Sequence, residues 1–130
     1  MKRVILISCF MVAFFIRYES VSQTNPVKSM STFKVRHTVV FSLRYPKGSA
    51  EEKTFLEAAR KLSSIPGVLN FECLREVSSK NNYDFGLSME FESLKAYEAY
   101  QKYPDHDVFV KTYWMRDVKD FLEIDYELLK

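Results

Sequence analysis

From Phe33 to Arg44 every second side chain changes character. Phe33, Val35, His37, Val39, Phe41 and Leu43 fall on one face, and Lys34, Arg36, Thr38, Val40, Ser42 and Arg44 on the other. A period of two fits no helix, whose side chains return every 3.6 residues or so, and it predicts a strand with one buried face. The same alternation returns twice. Tyr83, Phe85, Leu87, Met89 and Phe91 oppose Asp84, Gly86, Ser88 and Glu90; Leu122, Ile124, Tyr126 and Leu128 oppose Phe121, Glu123, Asp125 and Glu127. A fourth strand is expected over Val68 to Val77, with Leu69, Phe71, Cys73 and Val77 facing one way and Asn70, Glu72 and Glu76 the other. Strands of this kind need a cover for their apolar faces, which places helices on one side of a single sheet.

The intervening segments supply those helices. Ser49-Ala50-Glu51-Glu52 has the spacing of a capping box, Phe55, Ala58, Ala59 and Leu62 form an apolar stripe, and Ile65-Pro66-Gly67 ends the segment. A second helix is expected from about Ser93, carrying Leu94, Tyr97, Tyr100 and Tyr103, until Pro104 interrupts it. Asp105 is placed to cap a further helix displaying Phe109, Val110, Tyr113 and Trp114. The order β-α-β-β-α-α-β describes an α+β fold, a ferredoxin-like antiparallel sheet with the helices on one face. The opposite face is largely polar but carries Val40 and Phe121. It is either solvated or stacked on the sheet of a second copy, and periodicity leaves both open.

The charge of +2 is unevenly placed. Met1-Lys2-Arg3 precedes an apolar run from Val4 to Ile16, followed by Ser20 and Ser22 as a small-x-small site. This is the three-part pattern of a Sec signal peptide over residues 1–22. As a helix the run spans about 20 Å against a bilayer core of about 30 Å; an uncleaved anchoring helix is the alternative reading. Lys2, Arg3, Arg17 and Glu19 leave with the signal, so 16 basic and 16 acidic residues remain of the original 19 and 17. The expected product is exported and neutral, with residues 23–32 as a flexible leader and 33–130 as the domain. It has no basic stripe for nucleic acid and no membrane anchor after cleavage. Cys73 is then a lone thiol, expected to be buried and inert.

His37-Thr38-Val39-Val40-Phe41, Ile65-Pro66-Gly67-Val68, Tyr83 to Phe91 and Tyr103-Pro104-Asp105-His106 with Phe109 form an ordered set. The set resembles the stress-responsive dimeric α/β-barrel (Dabb) family, from about Phe33 to Tyr126. The resemblance implies a homodimer whose two sheets form a barrel with the helices outside, so it favours the stacked-sheet reading. It extends distantly to a plant olivetolic acid (polyketide) cyclase, which closes a linear poly-β-ketone by aldol condensation with a Tyr and a His and no cofactor. By motif position its catalytic His matches His106, its catalytic Tyr matches Tyr100, and a first-strand pocket His matches His37. A pocket His on the third strand is Phe85 here, a pocket Tyr on the first helix is Ala58, and the first position of the Pro motif, often His, is Tyr103.

The residues themselves are compatible with that chemistry. A His near its ordinary pKa of about 6.5 serves as a general base around neutral pH, and a phenol can donate to a developing enolate. Tyr100 also fits a core aromatic, and His106 an exposed residue between Asp105 and Asp107. His37 is a polar side chain in the middle of an apolar strand face and needs a hydrogen-bond partner beneath the helices. Tyr97, Tyr103, Tyr113 and Trp114 can line a cavity for a flat, apolar ligand, with His37 and Phe85 as further lining candidates. With two His and none of the usual ligand spacings, no metal site is expected; no phosphate loop, Ser-His-Asp order or cofactor fingerprint appears. Two functions follow as expectations. One is a small-molecule-binding barrel with cofactor-free acid/base chemistry at His106 and Tyr100. The other is a non-catalytic stress or assembly protein acting through its dimer or helix surface.

Overall fold

A computed structural model describes residues 35–129. The proposed signal peptide, Cys9 and the leader lie outside the described residues. Four strands and three helical segments follow the expected order: β1 Val35–Leu43, α1 Ala50–Arg60, β2 Leu69–Arg75, β3 Phe85–Phe91, α2 Leu94–Gln101, α3 Pro104–Phe109 and β4 Val118–Tyr126. A 3₁₀ turn, Lys61–Ser64, extends α1. After α3 the helix widens into a π turn, Val110–Trp114, and ends with one tight turn, Met115–Asp117.

The helix starts are local chemistry. Ser49 Oγ accepts from the Glu52 N–H at 3.2 Å, and the Glu52 carboxylate reaches back to the Gly48 N–H at 3.0 Å. Ser93 Oγ accepts from the Ala96 N–H at 3.1 Å at the head of α2. At α3 the cap is Tyr103 rather than Asp105: its carbonyl accepts from the His106 and Asp107 N–H groups, and Pro104 takes the first helical position. Proline there loses no helical hydrogen bond, since its missing N–H would have had no partner within the helix.

All sheet pairings are antiparallel, in the order β2-β3-β1-β4. His37, Val39 and Phe41 on β1 stand opposite Met89, Leu87 and Phe85 on β3, and this face meets the helices. Phe41, Phe55 and Phe91 are fully buried and join Leu87, Met89 and Tyr100 in the core. At about 1.5–3 kcal/mol per buried large side chain, this layer is what holds helices to sheet.

Three details depart from the sequence reading. The second strand stops at Arg75, and Val77, expected inward, is 96% exposed beyond its end. Near its start Asn70 adopts φ +47° where the ladder to β3 shifts register, a bulge that removes the simple alternation. The third strand begins at Phe85, not Tyr83.

The last strand is turned over. Phe121, Glu123 and Asp125 stand opposite Phe41, Val39 and His37, so they share the helix-covered face. Leu122, Ile124 and Tyr126 point away from the helices and are exposed, beside Val40 of β1. Phe121, placed by periodicity on the outer face, therefore stands on the helix-covered side, where it meets Trp114 while staying 49% exposed. The cause is a bulge at the head of β4, where Val118 stands opposite Leu43 and Asp120 opposite Ser42; beyond it Asp125 meets His37 and Tyr97 beneath the helices, and the apolar set faces outward. Leu74 of β2 is exposed on that same outer face, with β3 and β1 between it and β4, opposite Gly86.

Candidate active site

Between the helices and the β1–β4 half of the sheet lies a cavity of about 270 Å³. This is just under the lower bound of roughly 300 Å³ usual for small-molecule sites. Its walls are apolar: Val39 and Leu87 from the sheet, Leu62 from the end of α1, and Phe109 and Trp114 from the segment after Pro104. Trp114 meets Phe121 edge to face, ring centres 5.5 Å apart. The polar positions are His37, Tyr100, His106 and Glu123.

The break at Pro104 does what a straight helix could not. Tyr100 ends its last turn of α2 pointing at the sheet, and His106 returns in the first turn of α3 with its ring centre 4.7 Å from that of Tyr100. Tyr100 is only 2% exposed, and among the described residues no group exchanges a hydrogen bond with its hydroxyl. Burial, with Glu123 adding to it, raises its pKa well above the ordinary 10, so the phenol stays protonated. His106 is half-buried, and desolvation lowers its pKa from 6.5, against an opposing pull from the Gln101 backbone. The pair is a neutral imidazole beside a protonated phenol, a base and a hydrogen-bond donor at one cavity wall.

His37 is held from behind. Its Nδ1–H donates to Asp125 Oδ1 at 2.8 Å, the Tyr97 hydroxyl donates to Asp125 Oδ2 at 3.0 Å, and the Tyr97 oxygen sits 3.1 Å from Nδ1. A carboxylate can only accept, which fixes the proton on Nδ1 and leaves Nε2 for the cavity side. The expected partner of a buried His thus exists, and it comes from β4.

Of the candidates named from sequence, His37, Tyr100, His106 and Trp114 surround this cavity. Phe85 does not: it lies four residues along the sheet, packed on Phe41 at 5.6 Å with the Arg75 guanidinium over its ring. Tyr97 stands behind His37 and borders a shallower depression with Val35, Leu94 and Tyr126. Tyr103 packs against the core and caps α3 through its carbonyl. Ala58 and Tyr113 border a second cavity of about 250 Å³, which shares Leu62 and Phe109 with the first as a common partition.

Sequence reasoning missed Glu123 and Asp125. With His37 they place three possible ligand atoms within 4.8 Å of one another, so a divalent cation has donors of suitable type here. No spacing along the chain signals this, because His37 and Asp125 are 88 residues apart. The signal available was the alternation of β4 itself, read with the wrong face inward. Cys73 is half-buried, and burial pushes its thiol pKa up, which makes it a poor nucleophile.

The family model for the Stress responsive A/B Barrel Domain (Dabb) matches residues 35–128. The chain belongs to this family. A Dabb family protein with a ferredoxin-like fold from Mesorhizobium loti MAFF303099 is 49% identical, with 75% of this chain and 99% of that one covered and a TM-score of 0.72. A dimeric ferredoxin-like protein of unknown function from Thermobifida fusca YX is 21% identical, covering 75% and 93%, at a TM-score of 0.63. The hydroxynitrile lyase of Passiflora edulis is 12% identical, covering 76% and 96%, at a TM-score of 0.67. At such identities the last two share the Dabb domain's fold. No curated protein sequence matches the chain.

Proposed function

We propose that this Dabb domain binds a small, partly apolar molecule in the cavity between helices and sheet. In this reading His106 and Tyr100 carry out proton transfer beside a carbonyl without a cofactor. The observation that carries the reading is the Tyr100–His106 pair, ring centres 4.7 Å apart at the wall of an otherwise apolar cavity. His106, neutral because it is desolvated, takes a proton from the carbon next to a carbonyl. Tyr100 donates a hydrogen bond to the oxygen on which negative charge then develops. Neither group needs to ionise beforehand. A hydroxynitrile lyase shares this fold at 12% identity, so the scaffold hosts a lyase elsewhere.

The acting form in this reading is a homodimer. Leu122, Ile124 and Tyr126 are exposed on the outer sheet face. Neighbours from Thermobifida fusca, Bacteroides fragilis and Jannaschia are described as dimeric. Export through residues 1–22 completes the proposal, and a secreted product beginning at Gln23 on N-terminal sequencing is its expected mark.

The test is native mass spectrometry of the full chain for a copurifying small molecule, followed by thermal shift against a broad panel of carbonyl compounds. A retained molecule, or a panel member that raises Tm, supports the reading. An empty protein whose Tm no compound moves would leave the family fold with a purely structural or assembly role.

A further inference from the structure

We propose that Glu123 makes the cavity a site for ligands that carry a protonated amine at one end of a flat, apolar body; this rests on the cavity being a ligand site. Glu123 projects from β4 on the helix-covered face, opposite Val39, and its side chain is 46% exposed at the cavity edge. The nearest basic nitrogen is His37 Nδ1 at 4.0 Å, and that N–H is already given to Asp125. Among the described residues no group donates a hydrogen bond to the Glu123 carboxylate, and no Lys or Arg lines the cavity.

A carboxylate at the edge of an apolar cleft, with the Asp125 carboxylate behind His37, focuses a negative potential into a space with low-dielectric walls. Trp114, Phe109 and Phe121 add aromatic faces, which attract a cation and stack on a flat body. The second observation is independent. The Tyr100 side chain is 2% exposed and lines the cavity, and among the described residues no group bonds its hydroxyl, which leaves that hydroxyl open to a ligand. A ligand with its carbonyl or ether oxygen at Tyr100 and an ammonium at Glu123 satisfies both. An anionic ligand would bring a third negative charge next to two carboxylates.

Isothermal titration of the full-length chain at pH 7 and low ionic strength tests this with three probes of one body: phenethylamine, 2-phenylethanol and 3-phenylpropionate. We expect phenethylamine to bind at least tenfold more tightly than 3-phenylpropionate. Glu123→Gln should bring the two within about twofold, and Glu123→Lys should reverse the order. If all three bind alike, or if the preference survives Glu123→Gln, the charge selection falls while the cavity remains a ligand site. If none binds, both readings fall. A parallel titration with Mn²⁺ alone covers the other cation: saturable binding that Glu123→Gln abolishes and phenethylamine does not displace would make His37, Glu123 and Asp125 a metal site and overturn the amine assignment.

Discussion

At the scale of single residues, the decisive property is protonation. His106 loses affinity for a proton because burial strips its charged form of water, with nearby His37 acting in the same direction. Its base form therefore persists on the acid side of the ordinary value of 6.5. A pH profile of kcat/KM for the proposed reaction should show an acid limb below pH 6.5, and His106→Ala should abolish both limb and activity while leaving the fold and the proposed dimer intact. Full activity in that variant would remove His106 from the chemistry. The same shift has a stability consequence with a definite sign. The unfolded chain takes up the proton first as pH falls, so stability rises with pH across the window between the two values. Sequence reading reached His37, Tyr100 and His106 because each is conspicuous in its local pattern or motif. It could not reach Glu123 or Asp125, since an edge strand with alternating carboxylates and leucines offers two faces and no local signal of which one turns inward.

At the scale of elements, what was legible is what local chemistry dictates. The capping serines at Ser49 and Ser93 mark their helix starts in sequence and in structure alike. Ser49→Ala should cost about 1 kcal/mol in chemical denaturation, the usual penalty for losing such a cap. A change under about 0.3 kcal/mol would mean that Glu52, through its bond to the Gly48 N–H, carries the cap alone. What was illegible depends on contacts far away. β2 ends early because its ladder ends, and Val77, apolar by type, has nothing to pack on there. Asn70 turns left-handed, and its side-chain amide donates to the buried Glu90 carboxylate, a partner 20 residues away that no periodicity reveals. The cap of α3 is Tyr103, two residues before the expected Asp105, and Pro104 fills the first helical position with no side-chain cap.

At the scale of the whole molecule, the orientation of β4 leaves the domain with two kinds of surface. Beneath the helices it carries charge; outside it carries Leu122, Ile124 and Tyr126. A single copy exposes these apolar residues to water, and stacking sheet on sheet with a second copy removes them from it. Light scattering of the full chain should give a dimer mass, and Ile124→Arg should shift it to a monomer that keeps its far-UV circular dichroism. A clean monomer in the unmodified chain would refute the barrel arrangement. Four antiparallel strands and the helix layer could be foreseen from alternation and helical spacing alone. Whether a second copy covers the outer face could not, because a second molecule writes nothing into one chain's periodicity.

A bulge at the head of β4 gives this surface arrangement a discrete origin: Val118 stands opposite Leu43 and Asp120 opposite Ser42, so Lys119 is one residue too many for the ladder. A bulge holds one residue more than the strand it pairs with, and a strand's side chains obey even-and-odd parity. A strand that paired Lys119 with Ser42, with no bulge, would swap the parity of β4 beyond that point. Leucine and isoleucine would then look into the cavity, and glutamate and aspartate would look out. Within this fold, the choice between a polar-edged pocket and an oily one is a counting problem, settled by one extra residue at the head of β4, ahead of both carboxylates.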